Sequence, residues 1–181
     1  PYLAKEIPTV ANGGVSSDLK SITWKLKDGI MWSDGSPVTS ADVKFTADYC
    51  MNSDMGCAQL AKFDHVTSID TPDSATVVVS FAQPMPNPYG PFMGGQSPII
   101  QMAQFENCTG AKAQSCTEQN FGPIGTGPFV VTEFRPNDVI QMKANDNYRD
   151  PSKPAFATLT FKGGGDAMGA GRSVLETGEF D

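Results

Sequence analysis

Apolar and polar residues alternate along Ser21-Ile-Thr-Trp-Lys-Leu26, so Ile22, Trp24 and Leu26 share one face of a half-buried strand. The same alternation returns in Ala75–Phe81, where Val77, Val79 and Phe81 form one face, and a shorter run, Val66–Asp70, precedes it. Thr71-Pro-Asp-Ser74 between them predicts a hairpin turn. The period changes after Thr39-Ser-Ala-Asp42. Val43, Ala47 and Cys50 recur at helical spacing. Thr39 suits the cap of that helix, and Asp42 stands where a capping-box acid belongs. The helix is expected to end near Asn52–Ser53, before Gly56.

The middle of the chain breaks this order. Pro84, Pro86, Pro88 and Pro91 fall within eight residues, which excludes a helix or an inner strand. Ile99–Phe105 fits a short helix, and the polar stretch Glu106–Asn120 reads as a surface loop. Regular pattern resumes in Phe129–Phe134 and Val139–Lys143, a hairpin around Arg135-Pro-Asn-Asp138. Thr158–Phe161 is a further strand. Gly163-Gly-Gly165 loosens the chain, Asp166 caps a last helix to about Glu176, and Gly178 ends it. The pattern predicts a mixed α and β fold of antiparallel hairpins with two short helices.

Composition narrows the function classes. With 181 residues, the chain is long enough for one domain with a real core. Its net charge of −7 argues against nucleic acid as a partner and against unaided binding to an anionic membrane. No apolar run approaches the roughly 20 residues that span a bilayer. The start at Pro1-Tyr2, without methionine, reads as an excised piece. Cys50, Cys57, Cys108 and Cys116 fall into two close pairs, each bracketing a short polar segment. This favours the disulfides Cys50–Cys57 and Cys108–Cys116 over four reduced thiols or a metal knuckle. No metal site is expected.

A search for catalytic chemistry returns little. His65 is the only histidine, lies beside Asp64 at the entry to a strand, and reads as a surface or edge residue. None of the 20 acids is marked as one of a catalytic pair. Gly163-Gly-Gly165 lacks the lysine of a phosphate loop. Asn107-Cys-Thr109 fits a glycosylation tripeptide that is common by chance. Trp24, in register with Ile22 and Leu26, belongs to the core, whereas Trp32 stays open between core and a stacking platform. Phe92-Met-Gly-Gly-Gln-Ser97 mixes apolar, small and polar residues with exposed backbone. It is either an ordinary crossing loop or a wall presented to a small ligand.

Four stretches carry a resemblance. Leu26-Lys-Asp-Gly-Ile-Met-Trp-Ser-Asp-Gly-Ser-Pro-Val-Thr-Ser-Ala-Asp-Val43 comes first. Pro123-Ile-Gly-Thr-Gly-Pro-Phe129 follows, with Asn145-Asp-Asn-Tyr148 behind it, and Thr177-Gly-Glu-Phe-Asp181 closes the chain. In that order they resemble the family 5 extracellular solute-binding proteins of ABC importers, the dipeptide, oligopeptide and nickel carriers. One departure is Tyr148-Arg149, where the family usually has Tyr-Trp.

The resemblance implies a partial type II periplasmic-binding-protein-like α/β fold, an antiparallel-rich subdomain plus the start of the first lobe. Residues 1–120 would be the smaller subdomain and 121–181 the start of the main first lobe, with the second lobe absent. It implies a carrier without enzymatic activity or cofactor, periplasmic or at the cell surface, with a lipid anchor in the full-length protein. The partners it implies are a small peptide or similar solute and an ABC permease; the protein is expected to be a monomer. Nickel chelates, oligosaccharides or opines are rival ligands, and a secreted sensor or adhesion module is the rival role. The expected cleft wall is Phe92, Met93, Gly94, Gly95, Gln96 and Ser97, with Gly125, Thr126 and Gly127.

Overall fold

The computed structural model describes residues 2–163 and 166–178. The expectations for Gly164, Gly165 and the closing residues 179–181 lie outside them. Strands β1 (Ser21–Lys25), β2 (Val66–Asp73) and β3 (Thr76–Phe81) form one antiparallel sheet in the order β1-β3-β2. Strands β4 (Phe129–Arg135), β5 (Val139–Ala144) and β6 (Thr158–Lys162) form a second, in the order β4-β5-β6. Helix α1 (Ser40–Met51) packs on the first sheet.

Period-2 alternation explains why the core lies there. β1 pairs with β3 in a register that sets Ile22 opposite Val79 and Trp24 opposite Val77. Ile22, Val77 and Val79 have no exposed surface, and Ile69 of β2 is buried beside them. α1 closes this face with Val43 and Ala47. Each buried valine or isoleucine side chain here contributes about 1.5–3 kcal/mol through burial. Trp24 is half-buried and meets the edge of Tyr89 at 6.2 Å. The Tyr89 hydroxyl donates to the Pro8 carbonyl at 2.7 Å, so the proline-rich stretch is tied across this end of the sheet.

The helix boundaries follow local chemistry. Asp42 Oδ2 accepts the backbone N–H of Thr39 at 2.9 Å, the return half of a capping box. α1 ends at Met51, with Asn52 as its cap in an extended conformation. In α4 (Ala167–Thr177), the Asp166 carboxylate accepts from Gly169 N at 2.8 Å, and Gly178 stops the helix at φ 62°. A residue with a Cβ is strained at that angle.

Two expectations need correction. β2 does not stop at Asp70 but runs through Pro72 to Asp73, and the turn tightens to Ser74–Ala75. A bulge between Asp70 and Asp73 absorbs one residue, and β2 is an edge strand, where the missing proline N–H costs little. Glu106–Asn120 is not a plain loop. After the single helical turn α2 (Met102–Phe105), a 3-10 segment spans Gly110–Ser115, and helix α3 covers Thr117–Phe121. Cys108 pairs with Cys116, as Cys50 does with Cys57. The first of these folds the polar stretch onto buried Cys108 and Ala113.

Candidate functional site

The motif Trp32-Ser-Asp-Gly-Ser36 turns out to be a joint. Trp32 is buried, which places it in the core and not on a stacking surface. Ser33 N–H donates to the Gly125 carbonyl at 2.9 Å, and the Ser33 carbonyl accepts from Asn147 Nδ2 at 3.2 Å. Asp34 Oδ2 accepts from Gln101 Nε2 at 2.8 Å, and its other oxygen accepts the Ser36 N–H and hydroxyl. Partial burial pushes the Asp34 carboxyl upward. The hydrogen bonds from Gln101 and Ser36 outweigh it and hold the group below its ordinary value. Asp42 serves two segments as well, since its Oδ1 accepts the Met102 N–H at 3.0 Å. Thr46 Oγ1 completes the tie by accepting from Ile100 N at 3.0 Å.

The Gly125-Thr126-Gly127 bend is held by the same joint. Gly127 O accepts from Asn145 Nδ2 at 2.7 Å, and Thr126 O accepts from Arg149 at 3.4 Å. The Arg149 guanidinium lies between the rings of Tyr2, at 4.9 Å, and Tyr148, at 4.7 Å. Here the departure from Tyr-Trp keeps a flat group against aromatic neighbours, now with a cation–π attraction. All three carbonyls of the bend are therefore engaged within the chain.

The other predicted stretch lies in a different setting. Phe92, at φ 64°, turns its ring edge-on to Phe63 at 5.6 Å. Lys62 Nζ donates to the Met93 carbonyl at 3.0 Å and to Ser97 Oγ at 2.7 Å, which clamps the loop at both ends. Gly94 and Gly95 are exposed between those anchors, and Gly94 takes φ 87°. Phe92, Gln96 and Ser97 line a cavity of about 320 Å³, while Met93 faces a separate shallow depression with Ile7 and Tyr89. Among the described residues, no hydrogen bond joins Phe92–Ser97 to Gly125–Gly127.

Sequence reasoning missed the rest of that cavity. Tyr49 and Thr46 of α1, Met55, Gln59, Gln114 and Asn120 also line it. Burial raises the Tyr49 hydroxyl above its ordinary value. Only the short Cys50–Cys57 spacing hinted at a fixed wall here. Nothing in the sequence pairs residues 46–63 with residues 96–120. His65 is exposed, at φ 68°, and its carbonyl accepts the Ala82 N–H. Among the described residues, no three His, Cys, Asp or Glu side chains could hold a metal ion. Among the same residues, no helix is long and apolar enough to cross a membrane.

The family model "Bacterial extracellular solute-binding proteins, family 5 Middle" matches residues 1–181, and the chain belongs to that family. A putative ABC transporter peptide-binding protein of Brucella ovis is 29% identical over 137 residues, 75% of this chain and 25% of the relative. The ABC transporter substrate binding protein CtaP of Listeria monocytogenes superposes with a TM-score of 0.82 at 25% identity, over 100% of this chain and 35% of that one. The structure of AgaA from A. tumefaciens R10, in complex with agropinic acid, gives 0.79 at 25% identity, over 100% of this chain and 34% of that one. The chain thus spans about a quarter to a third of the length of these proteins. Fold and neighbours together are those of the type II periplasmic-binding-protein-like class.

Proposed function

We propose that the chain is part of an extracytoplasmic solute-binding component of an ABC transporter, and that the solute is a peptide. The observation that carries this reading is the family match over residues 1–181, with a peptide-binding relative aligned over 75% of the chain. On this reading the protein does no bond chemistry. It hands its solute to a membrane permease, works as a monomer, and is periplasmic or lipid-anchored at the cell surface. Residues 1–120 are the smaller subdomain and 121–181 begin the main first lobe. Phe92–Ser97 supply a wall of the cleft, braced by Lys62. Gly125–Gly127 act mainly by holding the Ser33 turn in place.

Native mass spectrometry of the full-length protein tests the reading. A family of bound masses fitting short peptides is the expected result. A single metal-chelate mass would replace the peptide with nickel. A ligand-free protein that also ignores peptide mixtures would favour a secreted sensor or adhesion module. An opine is the second reading, favoured by the agropinic acid complex of AgaA, and a bound opine mass would establish it.

A further inference from the structure

The cavity between the two disulfide loops has a chemistry that the carrier role alone does not specify. Its floor is aromatic and aliphatic, from Phe63, Phe92 and Ile100. Its rim carries the amides Gln96, Gln114 and Asn120. Among the described residues, no aspartate, glutamate, lysine, arginine or histidine lines it. Lys62 stands beside Ser97, with its ammonium on the Ser97 hydroxyl and the Met93 carbonyl. At about 320 Å³, the cavity falls at the small end of the range known for small-molecule sites, about 300–1,000 Å³.

The walls are also fixed. Cys50 and Cys57 both line the cavity and are bonded to each other, which locks the end of α1 to the turn beyond it. The opposite wall, around Ala113 and Gln114, lies inside the loop closed by Cys108–Cys116. Thr46 Oγ1 fixes Ile100 between them through its backbone. A site held this way has little ordering cost left when a ligand enters. An ionised group entering it would lose water with no opposite charge to replace it, whereas an apolar group would gain burial.

We infer that this cavity is a binding site for one uncharged aromatic or branched aliphatic group, with the rim amides pairing the polar atoms beside it. Resting on the carrier reading, that group is a side chain of the transported peptide.

Two titrations of the full-length protein test this, each repeated on Gln114→Trp. Gln114 is exposed, so the substitution fills the mouth without entering the core. The first follows 4-fluorobenzyl alcohol by fluorine NMR. Saturable binding, weakened at least tenfold in Gln114→Trp, is expected. Absence of binding, or binding indifferent to the substitution, overturns the site. The second measures tripeptides Gly-X-Gly by calorimetry. Phenylalanine or leucine at X is expected to bind at least tenfold tighter than aspartate or lysine, with the advantage lost in Gln114→Trp. Peptides that bind without this preference overturn the inference and leave the peptide carrier standing. If no peptide binds while the fluorinated alcohol does, the peptide reading fails and the neutral cavity survives. Equal melting temperatures for the two proteins establish that the variant is folded.

Discussion

Asp34 and Trp32 show how much a single residue of the motif holds. The Asp34 carboxylate carries Gln101 and Ser36, and its folded-state value lies below the ordinary one. A depressed carboxylate stabilises the fold above its unfolded value, near pH 4, and the contribution fades as pH falls through the lower folded value. Asp34→Asn is therefore expected to lower the melting temperature at pH 7 and to flatten its fall below about pH 4. A variant melting curve parallel to the parent's through that range would disprove the assignment. Trp32 contributes through packing. Its indole N–H, like that of Trp24, has no hydrogen-bond partner among the described residues. Trp32→Ala should cost about 3–5 kcal/mol in denaturant titration. Trp32→Phe should cost much less, because it keeps a ring and removes a donor with nothing to bond. Equal losses would overturn this account of Trp32.

Among the elements, the capped ones were legible and the tied ones were not. Thr39 with Asp42 marks the start of α1, and Asp166 with Gly178 brackets α4, because caps act within a few residues of sequence. The extension of β2 through Pro72 escaped local reading, since only its place at the sheet edge makes the proline tolerable. The Glu106–Asn120 segment escaped for a similar reason. Its side chains are polar because they face water, which says nothing of the turns that the Cys108–Cys116 bridge imposes. Each bridge closes a short loop, with separations of 7 and 8 residues. Removing either by a double Cys→Ser exchange is expected to cost about 2–3 kcal/mol. Loss of the Cys50–Cys57 bridge should also weaken binding of the fluorinated alcohol, because those two residues line the cavity. Unchanged melting under reducing conditions would contradict this.

At the scale of the whole molecule, burial divides unevenly. β3 lies between two strands and under α1, whereas β6 and α4 are largely exposed, with Phe161 at 53% and Leu175 at 87%. Hydrogen exchange on the 181-residue chain should therefore protect Val77–Val79 far more than Thr158–Lys162. Equal protection would require contacts on the second sheet beyond those described. The alternation in Ser21–Leu26 and Ala75–Phe81, the caps and the paired cysteines were determined by sequence alone, because each depends on neighbours within about ten residues. Fold class followed from those pieces, and the family resemblance from the motifs Leu26–Val43, Pro123–Phe129, Asn145–Tyr148 and Thr177–Asp181 in order. Tertiary structure decided the rest. It set Ser33 against Gly125, Gln101 against Asp34, and Thr46 and Phe63 against Phe92–Ile100 across one cavity. A sequence pattern records which face of an element is apolar. Which distant loop closes over that face is settled only when the chain packs, by the burial and hydrogen bonds then available.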